Sequence, residues 1–236
     1  MLEVGCGKGR FLEAAKRKGY RVYGIEPSSR SFAVASRLVR GFIAPIGFED
    51  IATVADFPRE YEFVMLWHVL EHLDAPDSLL AQARRLLSDG GRLVIAVPNF
   101  ASLQARVGGA NWYHLDPPRH VHHFTPRSLR LLAEKCGFEV EKISFDSFYQ
   151  DYIGDLITVV NRLLPGKNVI FNGLRRNPAY LDRYGAVRAW AQFAAAAWLS
   201  ALFAPPIFLV TLLTQWGRRS GTMIAIMKPV VPSRRA

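Results

Sequence analysis

The chain has 236 residues, of which half are hydrophobic, and its formal net charge is +10. This length suits one domain with an appendage and provides enough apolar residues for a substantial core. The two cysteines, Cys6 and Cys136, belong to no CxxC pair, which disfavours a zinc site and a disulfide. Charged residues within the first ten positions disfavour a secretory signal peptide.

Strands and helices alternate over the first hundred residues, which predicts a parallel sheet with helices on both faces. The predicted strands are MLEV, RVYGI, GFIAPI, YEFVML, GRLVIAV, FEVEKISF and GTMIAIMKP. Helices are predicted over Gly9–Lys18, Ser29–Val39, Pro76–Leu87 and from Thr125-Pro126 to Lys135. The segment 99–125 is rich in Gly, Pro and His and is predicted to be a loop.

The pattern changes at Asp151, where helical runs begin that continue to Gly217, before the last strand. We therefore predict a core over 1–150, a helical insertion over 151–217 and a closing strand of the core within 218–229. The remaining residues, 230–236, are expected to form a disordered tail.

A glycine-rich turn follows the first strand in the sequence LEVGCGKGRF. Such a turn between a strand and a helix is typical of nucleotide-type sites, because glycine lets a ligand approach the backbone. A dinucleotide fingerprint, G-x-G-x-x-G, would need a third glycine where Arg10 stands. The pattern found is E-x-G-x-G-x-G, and its acid, Glu3, suits a cationic ligand such as S-adenosylmethionine better than a pyrophosphate. A second acid, Glu26, ends the second strand, where a carboxylate accepts ribose hydroxyls.

Three stretches, which follow one another along the chain, resemble class I S-adenosylmethionine-dependent methyltransferases of the ubiquinone-biosynthesis-like type. They are LEVGCGKGRFLEAAKRKGYRVYGIEPS, FVMLWHVLEHLDAPDSLLAQARRLLSDGGRLVIAVPN and WYHLDPPRHVHHFTPRSLRLLAEKCGF. The resemblance implies an α/β, Rossmann-like, doubly wound sheet of seven strands whose last strand is antiparallel. It also implies S-adenosyl-L-methionine as cofactor and a small-molecule methyl acceptor. Family members carry a helix and the start of strand one before the glycine loop, so the core is expected to be N-terminally truncated.

The resemblance assigns cofactor contacts to the glycine loop and to the ends of the neighbouring strands. The residues so assigned are Glu3, Gly5, Cys6, Gly7, Gly9, Glu26, Pro27, Asp50, Trp67 and His68. For the position after the third strand, Glu49 is an alternative to Asp50.

Histidines provide the candidate catalytic groups. Methyl transfer is an in-line displacement, so the enzyme supplies alignment, and it needs a base only where the acceptor loses a proton. We predict His120 as that base, since the resemblance matches a Pro-Arg-His here, with His68 and His123 as further candidates. The non-catalytic alternative is that the histidines of residues 112–124, the histidine loop, hydrogen-bond the backbone. No metal is predicted, because the spacing of Asp116 and the histidines matches no familiar ligand set.

The C-terminal third combines positive charge with an uncharged apolar stretch. Residues 151–236 hold 11 Lys/Arg against 3 Asp/Glu, whereas residues 189–216 carry no charge at all. Aliphatic bulk disfavours nucleic acid as the partner, whereas anionic lipid fits. Pro205-Pro206 predicts two short helices, forming either a shallow hairpin in one leaflet or a buried pair at the core or a homodimer interface. A single crossing is disfavoured because the last strand belongs to the sheet.

These features predict a cytoplasmic methyltransferase, peripheral on the inner face of the membrane, that methylates an oxygen of an apolar or lipid-like acceptor. Two alternatives remain open at this point. One is a methyltransferase of a sugar or secondary metabolite whose insertion forms a dimer interface. The other is a non-catalytic membrane or assembly protein that keeps the fold.

Overall fold

A seven-stranded sheet of order β3-β2-β1-β4-β5-β7-β6 forms the centre of the protein's first compact unit. This computed structural model describes residues 1–39, 41–174 and 177–230. The first five strands pair in parallel, and β7 is antiparallel to both β5 and β6, which confirms the predicted fold class. The strands are β1 (Leu2–Val4), β2 (Tyr23–Ile25), β3 (Phe42–Ala44), β4 (Tyr61–Trp67), β5 (Leu87–Pro98), β6 (Phe138–Ser144) and β7 (Thr222–Pro229).

Nine α-helices are present in the described part of the chain. They are α1 (Arg10–Arg17), α2 (Ser29–Val39), α3 (Pro76–Arg85), α4 (Leu103–Gly108), α5 (Pro126–Lys135), α6 (Phe148–Leu163), α7 (Val169–Leu174), α8 (Pro178–Tyr184) and α9 (Ala186–Trp216). Helix α4 lies in the segment predicted to be a loop, so that prediction was wrong. The helix begins there because the Ser102 hydroxyl accepts a hydrogen bond from the Ala105 N–H over 3.0 Å.

The order of the strands reverses at β1, which lies between β2 and β4. In an open parallel sheet, the crevice beyond the carboxyl ends of the strands at such a reversal is the usual place for a ligand. The sheet is covered by apolar side chains at this point. Leu2 and Val64, which pair across β1 and β4, are both fully buried. The glycine loop after β1 and the segment after β4 therefore both begin at the edge where a ligand is expected.

The chain divides into two compact units. The first contains Met1–Val97, Pro126–Ile143 and the stretch that begins at Ile224. The second contains Pro98–Thr125 and Ser144–Met223, and is therefore larger than the insertion predicted over 151–217. The predicted tail lies outside the described residues from position 231 onward.

Helix α9 runs without interruption through Pro205-Pro206, so the prediction of two short helices was wrong. Each proline removes one backbone donor from the helix, which disfavours but does not forbid helical geometry. Contacts within the second unit hold the helix at this point. The Tyr152 hydroxyl donates to the Ala204 carbonyl over 3.3 Å, and Ile207 is buried.

Candidate functional site

The loop after β1 contains three glycines in the left-handed region, with φ of 65° at Gly5, 55° at Gly7 and 73° at Gly9. A Cβ at Gly5 would lie 2.7 Å from Val69 Cγ2, and one at Gly9 would lie 2.7 Å from Val39 Cγ2. A Cβ at Gly7 would meet no heavy atom within 4 Å. Gly5 and Gly9 thus allow the loop to pack against its neighbours, whereas Gly7 keeps one side of the loop open.

Glu26 connects this loop to the end of β2. Its Oε2 accepts a hydrogen bond from the Gly7 N–H over 2.7 Å, and its Oε1 accepts one from the Ser28 N–H over 2.9 Å. Each carboxylate oxygen has a second lone pair, so the same group can accept further donors. Glu26 therefore fixes the loop and still offers a negative charge at the edge of the sheet.

Glu3 is a buried acid in the middle of β1, and its side chain is only 5% exposed. Its Oε2 has no hydrogen-bond partner among the residues that the structure describes. Burial, and to a lesser degree the charge of Glu26, raises the pKa of the Glu3 carboxyl to about 8. A nearby cation would favour the ionised form of this carboxylate, so the pair of acids is suited to a positively charged ligand.

Cys6 contributes to the loop through its backbone. Its side chain packs in a core cluster with Leu12, Val22 and Val39. Burial and the nearby charges of Glu3 and Glu26 raise the pKa of the Cys6 thiol to about 12, so the thiol is not a nucleophile at neutral pH. The predicted cofactor contact of Cys6 stays a prediction, and its buried side chain leaves the main-chain atoms to make it.

A cavity of about 440 Å³ lies beside the glycine loop, within the first unit. Of the predicted cofactor residues, Gly5 and Pro27 line it. Glu49 lines it too, whereas Asp50 does not, which favours the alternative for the position after β3. Sequence reasoning missed the apolar lining residues, among them Ile46, Phe48, Val69, Leu73 and Leu79.

The end of β4 holds a histidine–carboxylate pair. His68 has φ of 53°, an uncommon value for a residue with a side chain, and its Nδ1 lies 2.9 Å from Glu71 Oε1. Glu71 is 1% exposed, and its Oε2 has no partner in the described part of the chain. The Trp67 ring lies edge-on to the His68 ring at 6.3 Å. Glu71 thus orients the His68 imidazole at the edge of the sheet where the strand order reverses.

The sequence model of the family described as "Methyltransferase domain" matches residues 1–143. The chain belongs to the methyltransferase domain family. This membership confirms the predicted resemblance to class I S-adenosylmethionine-dependent methyltransferases, together with the predicted cofactor. The glycine loop, Glu3 and Glu26 all lie within the matched residues.

Two curated relatives carry the name "Ubiquinone biosynthesis O-methyltransferase". The protein from Thiobacillus denitrificans is 29% identical over 153 residues, which cover 61% of this chain and 66% of that relative. The protein from Rhodopseudomonas palustris is also 29% identical, over 151 residues that cover 61% of this chain and 60% of that relative. This methyltransferase-family chain therefore spans less than two thirds of the length of both relatives.

Solved structures share the fold at lower identity. A SAM-dependent methyltransferase from Archaeoglobus fulgidus is 20% identical with a TM-score of 0.56, over 96% of this chain and 84% of that one. The [4+2]-cyclase SpnF is 18% identical with a TM-score of 0.57, over 98% of this chain and 75% of that one. These two likenesses establish the fold alone.

The predicted catalytic histidines of this methyltransferase-family chain fall in both units. His68 lies in the first unit, and His120 and His123 lie in the second. His120 Nδ1 lies 2.7 Å from the carbonyl oxygen of His114, so Nδ1 carries the proton and Nε2 is the basic nitrogen. His123 Nε2 lies 3.3 Å from the Leu115 carbonyl oxygen, which makes Nε2 the donor there. Both rings therefore hydrogen-bond the backbone, which is the arrangement that the non-catalytic alternative predicts.

The pKa of Glu3 gives a prediction for stability. Because the folded pKa of about 8 exceeds the ordinary value of 4.5, folding takes up a proton between these pH values. The stabilisation that Glu3 contributes is therefore complete below pH 4.5, falls as pH rises and is lost above the folded pKa. We expect the free energy of unfolding of Glu3→Gln to exceed that of the wild type by about 2 kcal/mol at pH 6 and about 4 kcal/mol at pH 8.

Urea unfolding of both proteins at pH 6, 7 and 8 measures this gain, and other titrating groups cancel in the difference. Glu60→Gln, at an exposed acid, is the control and should show a difference that does not vary with pH. If the difference in free energy of unfolding between Glu3→Gln and the wild type did not change with pH either, a buried acid at this position would be contradicted.

Proposed function

We propose that this chain is an S-adenosylmethionine-dependent methyltransferase that methylates an oxygen of a small, apolar acceptor. The observation that carries the proposal is the pair of acids at the glycine loop. Glu3 is buried in β1 and Glu26 binds the loop, so two carboxyl groups meet at one edge of the sheet, and a bound cation would favour the ionised form of Glu3. A dinucleotide pyrophosphate would be repelled there, whereas a sulfonium and an ammonium group would be attracted.

The other residues around the loop fit the same cofactor. When bound, S-adenosylmethionine supplies a methyl group that is already activated on a sulfonium. Glu26 would accept the ribose hydroxyls with its remaining lone pairs, and Gly7 leaves room for close approach to the backbone. The apolar walls of the cavity beside Gly5 would hold the adenine, and Glu49 would accept its exocyclic amine. Trp67 and His68, at the end of β4, remain proposed contacts between cofactor and acceptor.

Oxygen as the methylated atom is supported by the relatives named as O-methyltransferases. A hydroxyl acceptor loses a proton on methylation, and we propose that His120 Nε2 takes that proton. An apolar acceptor is supported by the apolar character of residues 189–216. A cytoplasmic location is supported by the two cysteines, Cys6 and Cys136, which are both free thiols.

Titration calorimetry with S-adenosylhomocysteine tests the cofactor assignment. We expect the wild type to bind it and Glu26→Gln to bind it about 5- to 150-fold more weakly, because one charged acceptor is lost, at about 1–3 kcal/mol. Glu134→Gln, at an exposed acid of α5, is the matched control and should bind as the wild type does. Binding of a nicotinamide dinucleotide in place of S-adenosylhomocysteine would overturn the proposal.

A further inference from the structure

Helix α9 presents an apolar stripe to solvent along its whole length. Large hydrophobic side chains recur every three, four, seven or eight residues. These spacings correspond to one or two turns, so the side chains lie on one face of the helix. The exposed members of this stripe are Val187, Trp190, Trp198, Leu202, Leu209, Leu213 and Trp216. At 1.5 Å per residue the stripe is about 43 Å long. Soluble monomers rarely expose a continuous apolar surface of that extent, so a partner is indicated.

The opposite side of α9 is already in use within the second unit. The buried residues of the helix include Ala189, Ala196, Ile207 and Thr211, and the helix packs against α6, α7 and α8. Thr211 Oγ1 donates to Asp155 Oδ2 over 2.8 Å, which ties the helix to α6. The helix is long and apolar enough to cross a membrane by length and composition, but only its outward face is available to a partner.

Charge at the two ends of the stripe identifies the chemistry of that partner. Helix α9 contains no acidic residue. Arg183 and Arg188 lie near its beginning, Arg218 and Arg219 follow its end, and all four are exposed. Three tryptophans belong to the stripe, two toward the beginning of the helix and Trp216 as its last residue. Tryptophan prefers the depth of lipid headgroups, and arginine there meets lipid phosphates.

We propose that α9 docks flat on an anionic phospholipid bilayer, with the apolar stripe at the boundary between headgroups and acyl chains. The four arginines then face lipid phosphates at both ends of the helix, and the three tryptophans anchor it at headgroup depth. A second copy of the chain fits this surface less well. Two copies of α9 paired in either direction would bring arginines against arginines at both ends, and no acid of the helix would compensate.

Co-sedimentation of the full chain with vesicles tests the proposal. The vesicles contain either phosphatidylcholine alone or an equimolar mixture with phosphatidylglycerol. We expect binding to the mixed vesicles, weak binding to neutral ones, and a decline as salt rises from about 50 to 500 mM. The substitutions Arg188→Gln and Arg219→Gln should each lower the partition coefficient about fivefold.

A pair of double variants separates the stripe from a general charge effect. Leu209→Glu with Leu213→Glu changes residues of the stripe that are 61% and 63% exposed. Leu131→Glu with Tyr149→Glu changes residues elsewhere that are 57% and 79% exposed, and alters the net charge equally. The first pair should reduce vesicle binding at least tenfold and the second less than threefold, with unchanged circular dichroism in both.

Three results would overturn the proposal. One is equal binding to neutral and mixed vesicles, and another is equal loss of binding in the two double variants. The third is a stable dimer in light scattering that does not sediment with vesicles and that separates in the Leu209→Glu, Leu213→Glu variant. The proposed cofactor site is not tested by these measurements, because S-adenosylhomocysteine binding can be followed separately in every variant.

Discussion

Replacing His120 by alanine is expected to lower kcat about 100- to 10,000-fold, the usual contribution of a general base. Affinity for S-adenosylhomocysteine should stay within about twofold of the wild type, because the proposed base acts on the acceptor and is not among the residues that line the cavity beside Gly5. The physical reason is the tautomer of His120. Its Nδ1–H donates to the His114 carbonyl over 2.7 Å, and Nε2 is the nitrogen that we propose takes the hydroxyl proton.

The assay for this variant uses isotopically labelled S-adenosylmethionine and a panel of phenols and catechols with alkyl tails. His122→Ala is the matched control, since it lies two residues away and its ring contacts Phe124 at 5.9 Å. That variant should keep kcat within about threefold. Added imidazole should restore part of the activity to His120→Ala, as expected for a missing base but not for a missing structural contact. Equal kcat in His120→Ala and the wild type would remove His120 as the base.

Secondary structure was predictable where hydrophobic periodicity and helix termini agree. Helix α2 has the predicted bounds, and β4 differs from its prediction by one residue. Strand β5 begins four residues before its prediction, because Gly90-Gly91 indicates a turn but forms an irregularity in the pairing with β4. The prediction of two helices in place of α9 was wrong for a similar reason. Pro205-Pro206 is a local signal for a helix break, and tertiary contacts outweigh it.

The candidate site was predictable only where function constrains the residue type. The glycines of the loop and the acids Glu3 and Glu26 are recognisable because few residue types allow that backbone or supply that charge. The cavity walls were not, since Ile46 and Phe48 are ordinary apolar residues whose role depends on where the chain after β3 folds. Their position just after a strand, at the carboxyl edge of the sheet, was the available signal.

A buried polar network around Gln104 had no signature in the sequence and is expected to dominate the stability of the second unit. The Gln104 side chain donates from Nε2 to the Asp151 carbonyl over 3.2 Å and to Asp155 Oδ1 over 3.0 Å. Its Oε1 accepts from Trp112 Nε1 over 2.8 Å. A Cβ at Gly154 would lie 2.8 Å from its Nε2, so the network depends on a glycine in α6. Gln104 thus connects α4, α6 and the segment that carries Trp112.

Replacing Gln104 by leucine should lower the free energy of unfolding by about 3–5 kcal/mol, because the Asp151 carbonyl, Asp155 Oδ1 and Trp112 Nε1 each lose a hydrogen bond at about 1–3 kcal/mol. Urea titration followed by tryptophan fluorescence measures the loss, since four of the five tryptophans lie in the second unit. Arg106→Leu, at an exposed position on the same helix, is the control and should change stability by less than about 0.5 kcal/mol.

The size of the loss in Gln104→Leu distinguishes two kinds of packing. If the three groups found new partners through local rearrangement, the loss would fall to about 1 kcal/mol and would resemble that of an ordinary hydrogen bond. That result would contradict a rigid arrangement of α4 against α6. A loss of the expected size means that the segment carrying Trp112 and the histidine loop is held by the interior of the second unit. The position of His120 would then depend on a residue that takes no part in the proposed chemistry.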